Sequence, residues 1–189
     1  MVPKHWIINL KNSLATFRQQ HTVETIFSSV LKFTVMQDWK GACHESCGVI
    51  HILLNEFGVE NTWSIGEAKV GQAFLDHSWI EIDSEVFDIA ICRPLDARIS
   101  SSPVIKGIDV DTNTQTTNLY SQSSGLPEDQ MTTFVKSRDL SHYLMQSPMH
   151  PLIGTWALID HIAKSDLNTH LNIRSLMIKY SGQHFTTKP

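Results

Sequence analysis

The stretch His77-Ser78-Trp79-Ile80-Glu81-Ile82-Asp83-Ser84-Glu85-Val86-Phe87-Asp88 reads as a β-hairpin. Strands are expected over Ala73 to Ile82 and Glu85 to Cys92, joined by the short polar turn Asp83-Ser84. Residues two apart share a face, so His77, Trp79 and Glu81 point one way and Ser78, Ile80 and Ile82 the other. A turn centred between Asp83 and Ser84 pairs Trp79 with Asp88 and His77 with Ala90. Asp88 then becomes a diagonal neighbour of His77 on one face, within side-chain hydrogen-bond reach. A bulge or an odd-numbered loop would separate them.

Upstream, Cys43, Cys47, Ile50, Leu54 and Phe57 recur along one helical face from Gly41, and Gly58 stands at a natural C-terminal stop. Cys43 therefore opens a helix, where the free N–H groups and the dipole favour a thiolate. Gly41-Ala42 leave room for a substrate carbonyl above the sulfur, and the Cys43 N–H is a candidate oxyanion donor. Cys47 lies one turn deeper and Cys92 in an apolar run, and packing roles are expected for both. Cys43, His77 and Asp88 thus form a candidate nucleophile, base and orienting carboxylate. Asp76, Asp83, Asp96 and Glu81 are rivals for the last role, and Asp76 alternates to the wrong face.

The remaining chain reads as packing elements. Residues 10 to 34 suggest two helices jointed at Gln20-His21-Thr22, and Thr62 to Ala68 a further strand. A short strand around Val104 to Val110 precedes a Ser/Thr/Asn-rich segment, 111–125, expected as a long loop. A helix begins near Leu126-Pro127-Glu128-Asp129, and two more fill Pro151 to Tyr180 with a hinge near Ser165 to Asn168. Ser181 to Pro189 reads as a frayed tail.

With 189 residues and no shift in composition, residues 1–189 are expected to form a single domain with a real core. A net charge of −4 with fifteen scattered basic residues gives no nucleic-acid footprint. No apolar run is long enough for a membrane span, and no secretory signal is read. Three unevenly spaced cysteines make no disulfide framework, so a cytoplasmic, reducing location is expected.

The run Gly41-Ala42-Cys43, the apolar helix and Phe57-Gly58-Val59 resemble the Gly-x-Cys…Leu-Gly-Ile segment of the transglutaminase-like family within the papain-like cysteine protease superfamily. His77-Ser78-Trp79-Ile80-Glu81-Ile82 is similar to that family's His-Ala-Trp-Val-Glu-Val strand, and Val86-Phe87-Asp88 to its Trp-Val-Asp strand. The resemblance covers roughly positions 37 to 92. It implies an α+β papain-like core, with N-terminal helices and a Cys-bearing helix packed on an antiparallel sheet; additional helices follow at the C-terminus. It also implies Cys43 as nucleophile, His77 as base and Asp88 as orienting acid. Gln37 stands six residues before the cysteine, as the oxyanion Gln does in papain-like peptidases. Trp39 is the other upstream candidate for the oxyanion site, and both Trp39 and Trp79 are candidates for a cleft wall or for the core. The chain departs from the family at His44-Glu45, where an aromatic or charged pair usually follows the cysteine, and at Ile89, where proline often follows the acid.

The expected activity is a cysteine hydrolase or acyl transferase that forms a thioester with a peptide or protein amide and needs no cofactor. The alternative is an inactive binding or scaffold module. A zinc site built from Cys43, His44, Cys47 and His51 is not expected, because one helix offers at most two adjacent ligands and paired Cys-x-x-Cys knuckles are absent.

Overall fold

The computed structural model describes residues 1–188, and Pro189 lies outside the described residues. In chain order the elements are α1 (Lys4–Ser13), α2 (Gln20–Met36), α3 (Cys43–Glu56), β1 (Thr62–Val70), β2 (Ala73–Ile82), β3 (Glu85–Phe87) and a 3-10 turn (Ala90–Cys92). There follow β4 (Val104–Ile105), β5 (Ile108–Asp109), β6 (Thr114–Gln115), β7 (Leu119–Gln122), α4 (Gln130–Lys136), α5 (Leu140–Met145), α6 (Trp156–Ser165), α7 (Ile173–Lys179) and β8 (Thr186–Thr187). The fold is α+β, as the sequence implies: the main sheet runs β3-β2-β1-β7, all antiparallel, with β8 added in parallel to β1.

The hairpin forms because its turn can be made. Asp83 and Ser84 both take positive φ, 52° and 66°, the handedness that a two-residue turn needs to match strand twist. The ladder pairs Ile82 with Glu85, Glu81 with Val86 and Ile80 with Phe87. Trp63 pairs with Ile80 across β1 and β2, and these two join Phe27 of α2, Leu53 of α3 and Ile159 of α6 in one buried core. The Cys43–Phe57 helical stripe is as read, and Gly58, with φ 73°, ends α3.

Several expectations are corrected. The N-terminal joint lies before Gln20 rather than at Gln20-His21-Thr22, because Leu14 and Phe17 already sit in turns, with the Phe17 N–H donating to the Leu14 carbonyl at 2.8 Å. The third strand stops at Phe87; Asp88 leaves the ladder to bridge Val104, and Ala90–Cys92 coils into the 3-10 turn. The 111–125 segment holds β7, which pairs with the outer edge of β1. Leu140–Met145 forms a short helix whose sequence signal is only its capping Asp139. The tail is also ordered as far as Lys188: Phe185 packs on Trp63 at 5.4 Å between ring centroids, and the Lys188 N–H donates to the Ile65 carbonyl. Among the described residues no helix is long and apolar enough to cross a membrane.

Gly154 links α5 to α6 with φ 53°, and a Cβ there would land on the backbone carbonyls of Leu144 and Met145. Gly71 has a similar φ, 59°, but open space around it. Gly154→Ala is expected to cost more than about 2 kcal/mol in urea unfolding, and Gly71→Ala only about 1 kcal/mol. Equal costs at the two sites would show that the Gly154 contact does not constrain the fold.

Candidate active site

Cys43 is the first residue of α3. The connector before it is tied down at both ends: the Trp39 N–H donates to the Thr34 carbonyl and the Gly41 N–H to the Arg93 carbonyl, each at 2.9 Å. Gly41 takes φ 67°, a left-handed angle that suits glycine, so the chain can turn sharply into the helix. The second bond ties the helix start to the segment just after Asp88, and thus brings the sulfur to the hairpin. Cys43, His77 and Asp88 are 7 %, 5 % and 1 % exposed.

His77 Nε2 and Asp88 Oδ2 are 2.8 Å apart, which leaves Nδ1 as the ring nitrogen for the neighbouring Cys43 thiol, with which His77 shares a cavity wall. The Asp88 carboxylate is held by three partners. Besides His77, the Tyr120 hydroxyl donates to Oδ2 at 2.9 Å and the Ile91 N–H donates to Oδ1 at 3.1 Å. Its backbone exchanges two 2.7 Å hydrogen bonds with Val104. The hairpin thus supplies the shared face, but the bridge to Val104, not further ladder pairing, positions the carboxylate.

Burial alone would lower the His77 pKa, but the charges of Asp88 and Cys43 and the hydrogen bond to Asp88 outweigh it, and the imidazole is pushed up to about 10. Cys47 differs sharply: burial pushes its thiol well up, and Asp88 and Cys43 push the same way. Burial likewise raises Cys92 to about 12, and its thiol donates to the Ile89 carbonyl at 3.2 Å. Both therefore behave as packing residues.

Cys43, His44 and His77 line a cavity of about 320 Å³ whose walls include Phe74, Leu75 and Ile91. Gln37, Trp39 and Trp79 do not line it. Gln37 and Trp39 face a separate cavity of about 280 Å³ beside Pro148 and Met149, because the turn at Asp38 carries the end of α2 away from the sulfur. Trp79 is fully buried, donates to Glu81 Oε1 at 2.8 Å and packs on Tyr120. Of the rival carboxylates, Glu81 is committed to Ser64, Trp79 and Lys188, Asp96 to Arg98, and Asp76 to the Asp129 N–H. Of the zinc-site candidates, His51 uses both nitrogens on Asn61 and Asn55.

Two features escaped the sequence. Tyr120 sits in a polar run that carries no sign of its partner 32 residues away. His44, in sequence a departure from the family pattern and a discounted zinc ligand, has its Nδ1 2.6 Å from Ser78 Oγ. Burial, then the charge of His77, lowers His44 to about 4, although Asp129 opposes this.

The two histidines give opposite pH dependences. His77 binds its proton more tightly when folded, so its contribution is full below the unfolded value of 6.5 and is lost as pH rises toward about 10. His44 binds its proton less tightly when folded, so stability falls as pH drops from 6.5 toward about 4. Denaturant unfolding across this range is expected to show greatest stability near pH 6.5. His77→Asn should flatten the alkaline limb and His44→Asn the acid limb; unchanged limbs in both variants would refute the assignment.

Among comparisons with known proteins, no curated protein and no solved structure matches the chain. A family model described as the Transglutaminase-like superfamily matches residues 9–94, a stretch wider than the motif region and containing α2, α3, the hairpin and all three candidate residues. This part of the chain is similar to that superfamily, and its helices and antiparallel sheet make the α+β arrangement that its motifs imply.

Proposed function

We propose that Cys43, His77 and Asp88 act as the catalytic triad of a cysteine hydrolase or acyl transferase that attacks a peptide or protein amide. The observation that carries this reading is that Cys43, at the start of α3, and His77, held by Asp88 at 2.8 Å, line one cavity large enough for a side chain. The family of the 9–94 segment supports it.

Cys43 sulfur, as thiolate, adds to the amide carbon, and the carbonyl π pair moves to oxygen beside the Cys43 N–H. As the C–N bond breaks, His77 Nδ1 gives its proton to the departing nitrogen, leaving a thioester. Part of what holds that proton is the negative sulfur. Once the sulfur is acylated that attraction is gone, so the imidazolium becomes a stronger acid at the step that needs one. In the second half neutral His77 takes a proton from the incoming water or amine, which attacks the thioester carbon and releases the thiolate. Water gives hydrolysis and an amine gives transfer. All three cysteines are unbridged, which suits work in a reducing, cytoplasmic compartment.

Per-cysteine mass spectrometry of iodoacetamide labelling near pH 7 tests the triad. Cys43 is expected to react at least about tenfold faster than Cys47 or Cys92, and His77→Ala to slow it at least about tenfold. Equally slow labelling of Cys43 and Cys47 in both proteins would favour the inactive-module reading. Tyr120→Phe removes one net hydrogen bond from Asp88, of about 0.5–1.5 kcal/mol, and should slow Cys43 about two- to tenfold. Unchanged labelling would show that Tyr120 does not act through the triad.

A further inference from the structure

Two consecutive residues at the start of α3 meet two consecutive residues of β2. Cys43 lines a cavity with His77, and His44 bonds Ser78. The second contact belongs to a buried relay. Ser78 is fully buried, and its Oγ accepts a hydrogen bond from the Trp63 indole Nε1–H at 3.0 Å. An indole can only donate. Among the described residues the other side-chain partner of Ser78 Oγ is His44 Nδ1, at 2.6 Å. If Nδ1 carried a proton, the Ser78 hydroxyl proton would be stranded in the core. Satisfying every group therefore requires that Ser78 donates and Nδ1 accepts.

Burial and the neighbouring His77 hold His44 far below the usual imidazole range, at about 4, so the ring is neutral at physiological pH. A neutral ring whose Nδ1 accepts bears its single proton on Nε2. His44 lines the same cavity as Cys43 and His77. Among the described residues Nε2 has no protein hydrogen-bond partner, and it is not among the buried unpartnered atoms. A fixed, uncharged N–H donor is thus left on a residue that lines the cavity of the nucleophile and also the neighbouring cavity beside Glu45 and Tyr143.

We propose that the His44 Nε2–H donates a hydrogen bond to the carbonyl oxygen of the substrate, as the side-chain partner of the Cys43 N–H, with Ser78 and Trp63 as the positioning residues that set its tautomer. This rests on the reading of Cys43 as nucleophile. The donor stands one residue after the cysteine, whereas Gln37 and Trp39 are in another cavity. A neutral imidazole also suits the site electrostatically: it strengthens its bond as charge builds on the oxygen without setting a second cation beside His77.

The test compares two reactions of Cys43. With 4-nitrophenyl acetate the sulfur bonds to the ester carbon, the carbonyl pair moves to oxygen, and collapse expels 4-nitrophenolate. With iodoacetamide the sulfur displaces iodide and no oxyanion forms. The ratio of acylation to alkylation rate is expected to fall about 10- to 100-fold in His44→Ala. It should recover in part in His44→Gln, which keeps an amide donor, and fall less in Ser78→Ala. Long-range ¹⁵N–¹H NMR of the wild type should show His44 protonated at Nε2, with that preference lost in Ser78→Ala, and these readouts decide the matter if His44→Ala does not fold. An unchanged ratio, or a proton on Nδ1, overturns the inference while leaving the triad standing. A wild-type Cys43 inert to both reagents overturns both.

Discussion

A carboxylate that is 1 % exposed is tolerable only if donors take its lone pairs, and Asp88 meets that condition with groups from three different parts of the chain. His77 comes from β2, Tyr120 from β7 and the Ile91 N–H from the 3-10 turn. The charge therefore links elements that hydrophobic packing alone would hold only loosely in register. Removing one partner would leave a buried charge short of a donor, and this is why the outer strand, the hairpin and the turn behave as one unit.

The other constraint is the docking of α3 on β2. Cys43 with His77 and His44 with Ser78 make a two-residue match between a helix start and a strand. Adjacent strand residues point to opposite faces, so the helix terminus straddles the strand, and neither residue can shift without disturbing the other. One contact belongs to the proposed triad. The other carries a neutral relay that ends in the core at Trp63. The cavity is lined by both His77 and His44.

Much of this was legible in the residues. The Asp83-Ser84 turn, the period of two in Ala73–Ile82 and the helical stripe from Cys43 all appear where the pattern places them. Local geometry dominates such elements, and neighbouring residues carry the signal. Asp88 illustrates the limit. Its face follows from strand alternation, but its place comes from Val104 and its second hydrogen bond from Tyr120. Gln37 and Trp39 fail to reach the cavity for the same reason: distance along the chain before Cys43 does not specify where a turn sends them.

The sequence by itself determined the hairpin, the helix that begins at Cys43, the order of the three chemical groups and the similarity of the 9–94 segment to the transglutaminase-like superfamily. Those depend on backbone periodicity, turn chemistry and short motifs, all encoded within a few residues. Only the tertiary structure decided that β7 and the C-terminal strand border β1, that Tyr120 completes the shell of Asp88, and that Ser78 and Trp63 orient His44. Such pairings between distant residues are selected by burial, because a polar group taken from water must find its partner wherever the packed chain brings one.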